Sequence, residues 1–207
     1  MTRELAFDGM RIGLLGGSFN PAHDGHRHIS LVALRRLALD RIWWLVSPQN
    51  PLKQAAELDD YGNRFESARA ASAHPRIFVS DFERRHRLIY TIDTIRELRR
   101  RYRGVRFVWL MGADNLAGFH RWRSWREIAQ RIPIAVFARP GSEIRAPFSP
   151  AARRLARWRL DETDAKLLAE TPPPGWIYLT ETLHPASSTA IRRARIECAS
   201  AARAREA

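Results

Sequence analysis

Gly16-Gly17-Ser18-Phe19-Asn20-Pro21-Ala22-His23-Asp24-Gly25-His26 follows the strand-like segment Arg11 to Leu15 and opens a segment of helical periodicity. Strand, glycine-rich turn and helix in that order form the first unit of an open parallel sheet, where ligands bind beyond the carboxyl ends of the strands. The first N–H groups of such a helix lack intrahelical partners, and its dipole presents a positive end, so the turn suits a phosphate group. Gly16 and Gly17 let the backbone approach a ligand, because they carry no side chain and tolerate positive φ. Ser18 and Phe19 complete the expected phosphate-binding turn.

The rest of the chain repeats this alternation, which predicts an α/β fold with a parallel sheet and crossover helices. Strands are expected at Arg11 to Leu15, Arg41 to Val46, Ile77 to Ser80, Val105 to Met111, Ile134 to Ala138 and Trp176 to Thr180. Helices are expected at about 24–39, 61–73, 91–103, 124–131 and 188–204. Ile29, Val32, Ala33 and Leu37 recur at spacings of three and four and mark a core stripe, as do Ile92, Ile95 and Leu98, with Arg96, Arg99 and Arg103 turned outward. Residues 1–207 read as a single domain. Two segments break the rhythm: a long polar connection from Pro48 to Asp60, and residues 140–175, read as a peripheral insertion forming a short helical cap without catalytic residues.

Composition narrows the class. A chain of 207 residues with 45% hydrophobic and 28% charged residues is ordinary for a water-soluble globular protein. Apolar runs such as Ile42 to Val46 are five residues long, against the roughly 20 of a membrane-spanning helix. The N-terminus lacks the continuous apolar region of an export signal, and the expected location is the cytoplasm. Cys198 is the single cysteine, so no internal disulfide and no cysteine-based zinc site can form. It sits in an Ala-rich segment without a neighbouring histidine, which argues against a nucleophile. The net charge of +13 comes almost wholly from arginine, since only Lys53 and Lys166 are lysines. That charge raises a rival reading as an Arg-rich nucleic-acid-binding protein, but Arg84-Arg85, Arg99 to Arg103 and Arg192-Arg193-Arg195 read as solvated helix faces.

His23 and His26, three residues apart, project from the same side of the first turn of a helix that begins near Ala22. Two imidazole donors beside a helix N-terminus can hold the non-bridging oxygens of a phosphate and stabilise charge that builds during in-line displacement. As a metal site the pair would need a third ligand, and no Cys or Glu stands at suitable spacing. Near the other end, Ser187-Ser188-Thr189-Ala190-Ile191-Arg192 can cap a last helix through Ser188 or Thr189 and place Arg192 one turn in. Read alone, that is an ordinary capped basic helix.

Together these two strings resemble the signatures of the adenylyltransferase and cytidylyltransferase superfamily, in which two histidines bind the triphosphate of the incoming nucleotide and the serine-rich motif closes on its β- and γ-phosphates. The resemblance implies a Rossmann-like open parallel sheet with helices on both faces. It also implies catalytic roles for His23 and His26, and phosphate contacts from Gly16, Gly17, Ser18, Phe19, Ser187, Ser188, Thr189 and Arg192.

Further strings, covering about residues 9–197 apart from the insertion, look like those of bacterial nicotinate-nucleotide adenylyltransferases. Tyr90-Thr91-Ile92-Asp93-Thr94 opens a helix whose matching threonine in that family contacts the pyridine nucleotide, which assigns Thr91 to the acceptor. Met111-Gly112-Ala113-Asp114-Asn115 places Asp114 near a ribose by the same resemblance, while from its position alone it reads equally as a helix N-cap. Phe119-His120-Arg121-Trp122-Arg123-Ser124-Trp125 holds Trp122, matching the tryptophan that stacks on the pyridine ring; an electron-poor ring against indole is a sound pairing. Trp125 reads as core. Lys53 matches a basic residue near the phosphates, although Asn50-Pro51-Leu52-Lys53 lacks the histidine of the family's string. Ala186 stands where relatives commonly carry isoleucine.

The resemblance thus implies transfer of AMP from ATP to nicotinate mononucleotide, with Mg²⁺ carried by the triphosphate and no protein metal site. Nicotinamide mononucleotide and phosphopantetheine are alternative acceptors. Oligomeric state is not legible.

Overall fold

The computed structural model describes residues 4–48, 58–138 and 146–180. Six strands form one all-parallel sheet: β1 (Arg11–Gly17), β2 (Arg41–Val46), β3 (Ile77–Ser80), β4 (Arg106–Gly112), β5 (Ile134–Phe137) and β6 (Trp176–Leu179). Their order is β3-β2-β1-β4-β5-β6. The winding reverses between β1 and β4, which makes the gap beyond their carboxyl ends the natural ligand crevice. Helices among the described residues are α1 (Asp24–Arg36), α2 (Tyr61–Ser72), α3 (Phe82–Arg85), α4 (Thr91–Arg101), α5 (Ala113–Gly118), α6 (Trp125–Arg131) and α7 (Pro150–Leu155).

Period-two alternation explains how one sheet serves two cores. Along β2, Trp43 and Leu45 point to one face and Ile42, Trp44 and Val46 to the other; along β4, Phe107, Trp109 and Met111 oppose Val108 and Leu110. The first set packs with Ile92, Ile95 and Leu98 of α4, Leu116 of α5 and Ile128 of α6. The second set packs with Ile29, Val32 and Ala33 of α1 and Ala68 of α2. Strands buried on both faces read as unbroken apolar runs, which is why four- to seven-residue stretches sufficed to find them.

The expected strands each stand within two residues of their predicted ends, and α1, α2, α4 and α6 fall within the predicted helical segments. The helix expected at 188–204 lies outside the described residues. Differences concentrate in short elements: α3, α5 and α7 span four to six residues each, too short to display a 3.6-residue period.

The described part of the 140–175 stretch differs from a peripheral cap in its packing. Ala146, Ala151, Ala152 and Leu155 are buried in the core on one sheet face, and Ala165, Leu168 and Ala169 in the core on the other. Between them, Leu160 N donates to Trp176 O and Arg159 bridges to Trp176, so the connection wraps the exposed edge of β6. Small residues spaced through this segment hid that burial, since alanine carries little hydropathic signal.

The arginine-rich face of α4 is solvated and ion-paired. Arg96 bridges Asp93 and Glu127, while Arg100 and Arg101 flank Glu97. Their hydrogen bonds hold the Glu97 carboxyl down at about 2, Arg100 foremost.

Candidate active site

α1 begins one residue later than the signature string requires for two helical histidines. His23 is the N-cap, with extended backbone, and His26 is the third helical residue. The two side chains close a reciprocal capping box: Gly25 N donates to His23 Nδ1 at 3.1 Å, and His23 N donates to His26 Nδ1 at 3.2 Å. A backbone N–H can only donate, so both Nδ1 atoms are acceptors and each ring carries its proton on Nε2. Capping therefore fixes the tautomer of both imidazoles. The ring centroids lie 3.9 Å apart.

An aromatic shelf supports His26. Phe19 lies 4.8 Å from the His26 ring and stacks on Trp44 at 5.1 Å. Trp44 Nε1 donates to Ser30 Oγ, which itself donates to His26 O, both at 2.8 Å. Phe19 is buried and adopts φ 47. The turn's left-handed residue is thus Phe19, not Gly16 or Gly17, and the Phe19 side chain belongs to the core. This corrects the reason given for the glycines. A Cβ on Gly16 would stand 2.7 Å from Trp109 Cη2, and one on Gly17 would contact the Phe19 ring at 3.6 Å. Gly16 is small because an indole from β4 lies against it.

The loops leaving β1 and β2 are joined by Arg64 of α2, whose guanidinium donates to the carbonyls of Ser18, Ser47, Pro48 and Asp59. Burial lowers its pKa, while Tyr61, Asp60 and Asp59 raise it. Ser47 N also donates to Gly17 O at 2.9 Å. No feature of the sequence distinguishes Arg64 from the many arginines around it.

On the opposite side of the crevice, Trp122 stands edge-on to Phe119 at 5.4 Å and to Trp109 at 6.4 Å. Trp125 packs half-buried against the same core. Trp109 therefore links the glycine of the first turn to the predicted ring-stacking residue, and its buried Nε1 has no hydrogen-bond partner among the described residues. Arg123 lies 4.4 Å over the ring of Tyr90, the N-cap of α4. That contact brings the Trp122 turn to Thr91, the first residue of α4. Asp114 is exposed in the first turn of α5, whose N-cap is Gly112. The cap alternative for Asp114 is thereby removed.

Glu83 of α3 is buried and accepts from Thr94 Oγ1 at 2.9 Å, which ties α3 to α4. Burial raises its pKa to about 7, against the hydrogen bonds from Thr94 and Ser47. Lys53, Ser187, Ser188, Thr189, Arg192 and Cys198 lie outside the described residues. Among the described residues, no three His, Cys, Asp or Glu side chains gather as a metal site, and no helix is long and apolar enough to cross a membrane.

A helix N-terminus with two paired imidazoles at the switch point of a parallel sheet is the layout of a nucleotidyltransferase. The cytidylyltransferase-like family model matches residues 14–194. The chain is 52% identical to a "Probable nicotinate-nucleotide adenylyltransferase" of Caulobacter sp. (strain K31), covering 88% of this chain and 97% of that one. It is 55% identical to the protein of that name from Bradyrhizobium sp. (strain ORS 278), with 88% and 95% covered. In fold it is similar to Plasmodium falciparum nicotinic acid mononucleotide adenylyltransferase complexed with APC, at a TM-score of 0.63 and 15% identity, over 89% of this chain and 83% of that one. The chain belongs to the cytidylyltransferase-like family and, within it, to the nicotinate-nucleotide adenylyltransferases.

Proposed function

We propose that the protein transfers AMP from ATP to nicotinate mononucleotide, forming deamido-NAD and releasing pyrophosphate. The observation that carries this reading is the reciprocal capping box that holds His23 and His26 together at the N-terminus of α1. A phosphate oxygen of the mononucleotide attacks the α-phosphorus of ATP, and the bond to the β-phosphate oxygen breaks. A phosphate nucleophile is already ionised at neutral pH, so the protein needs no general base; alignment and charge stabilisation do the work. His23 and His26 serve the second task from the donor side.

Trp122 and Thr91 form the acceptor side, and Asp114 serves a ribose. Ser18 and the backbone of Gly16, Gly17 and Phe19 line the phosphate turn, while Ser187, Ser188, Thr189, Arg192 and Lys53 complete the phosphate contacts by resemblance. Mg²⁺ bound to the triphosphate would neutralise part of its charge, held mainly by phosphate oxygens and water. The reading places the enzyme in the cytoplasm, in NAD biosynthesis.

The test is to incubate the purified protein with ATP, Mg²⁺ and one acceptor at a time, and to identify products by mass. Deamido-NAD and pyrophosphate should form fastest with nicotinate mononucleotide. Faster product from nicotinamide mononucleotide or phosphopantetheine would change the acceptor, and tight, salt-sensitive nucleic-acid binding without any product would favour the rival class.

A further inference from the structure

Arg64 is one of the few buried charged side chains of the described residues, and its hydrogen bonds among them go to main-chain carbonyls. Nε donates to Asp59 O at 3.0 Å, Nη1 to Ser18 O at 2.7 Å and to Ser47 O at 2.8 Å, and Nη2 to Pro48 O at 3.1 Å. Three separate segments meet on this one plane: the turn after β1, the residues just past β2, and the residue before the N-cap of α2. Pro48 and Asp59 are the two ends of the connection that carries Lys53.

We infer that Arg64 is a positioning residue for the triphosphate, setting the phosphate turn at Ser18 against the end of β2 and the start of α2. This rests on the functional reading above. Ser18 immediately precedes Phe19, whose ring supports His26 and stacks on Trp44. A shift of the Ser18 carbonyl therefore moves Phe19 and, through it, the imidazole donor. The acceptor side has no bond to Arg64; it is assembled by Trp109, Trp122, Tyr90 and Arg123.

The arrangement also explains why the residue is arginine. A planar fork with five N–H donors can serve carbonyls from three segments at fixed angles, whereas a lysine ammonium offers three donors from one point. No carboxylate is among the four acceptors; Asp60 and Asp59 offset the charge through space, and the face of Tyr61 lies 5.3 Å away.

The experiment uses the full chain with Arg64→Lys, or Arg64→Gln where the lysine variant does not fold, each checked by thermal melting. In steady-state kinetics kcat/KM for ATP should fall about 10- to 100-fold, as for misplacement of a site by a residue away from the chemistry. The acceptor KM at saturating ATP should stay within about twofold. Without substrates, hydrogen exchange should quicken at the amides of Ser47 and Asp59, which are bonded to Gly17 O and Asn20 Oδ1. A folded variant with wild-type ATP kinetics, or one whose acceptor KM rises in parallel with that for ATP, overturns the inference. Absence of product from the unaltered protein would overturn the functional reading as well, and is told apart because it appears before any substitution is made.

Discussion

The turns leaving β1 and β4 face the same crevice but are built from different materials. After β1, the chain is held by directional polar bonds: the reciprocal histidine caps, the Ser30 link to Trp44, and the four carbonyls on Arg64. After β4, Phe119 meets Trp122 and Trp125 edge to face, and Trp122 meets Trp109 of the strand itself, whose Nε1 lacks a partner among the described residues. Hydrogen bonds are directional, which suits a site that must stabilise developing charge. Aromatic packing fixes shape and leaves ring faces for recognition. That contrast fits the proposed division between alignment of the phosphates and selection of the acceptor ring.

The sharpest way to break this contrast is on the polar side. Replacing His26 with alanine removes both a donor and half of the capping box, and kcat should fall about 10² to 10³-fold, in line with loss of one transition-state donor. Turnover at the wild-type rate would show that the paired imidazoles do not face the reacting phosphate.

Next comes the buried carboxyl of Glu83, which ties α3 to α4. Glu83 titrates near 7 in the folded protein, raised from 4.5. In the unfolded chain the group is ionised above 4.5, whereas the folded protein keeps its proton until about 7. The folded state therefore binds more protons in that window, and stability declines as pH rises from about 4.5 to 7, then levels off. Glu83→Gln cannot ionise and should abolish that decline, so its stability relative to wild type should improve between pH 5 and 8 by up to about 3 kcal/mol. Melting curves across that range check it, and a pH-independent difference would mean that the carboxyl is not held protonated.

A smaller effect sits where the two regions touch. A Cβ at position 16 would come 2.7 Å from Trp109 Cη2, so Gly16→Ala should cost about 1–3 kcal/mol by overpacking. Chemical denaturation measures it, and unchanged stability would free Trp109 from that place. Smallest is Trp122→Ala, expected to raise the KM for the pyridine nucleotide about tenfold with little change in kcat, since ring stacking contributes about 0.5–1.5 kcal/mol beyond burial. An equal rise in the KM for ATP would erase the division between the two sides.

What could be foreseen follows from how strongly each feature writes itself into local sequence. Ile42 to Val46 and Ile134 to Phe137 are buried on both faces, so their apolar runs announced the strands. His23 and His26 stood out because residue type, spacing and position after β1 agreed. Gly16 has a packing cause that local sequence hides, because Trp109, whose ring a Cβ there would meet, lies 93 positions away in sequence and one strand away in space. Phe19 read as ligand contact, yet the left-handed turn drives its ring into the core, a conformation that an L-residue seldom signals. Arg64 was invisible for a different reason: its acceptors are carbonyls, which every residue carries. Tertiary hydrogen bonds to the main chain leave no pattern to read.

The central claim is that the triphosphate lies at the N-terminus of α1, gripped by both signature imidazoles. A crystal of the protein with Mg²⁺ and a non-hydrolysable ATP analogue tests it most directly. The account predicts phosphate oxygens within hydrogen-bond distance of Nε2 of His23 and of His26, with Nδ1 of each ring still accepting from the backbone. A nucleotide seated elsewhere, or bound through Nδ1 with the capping box broken, would contradict it.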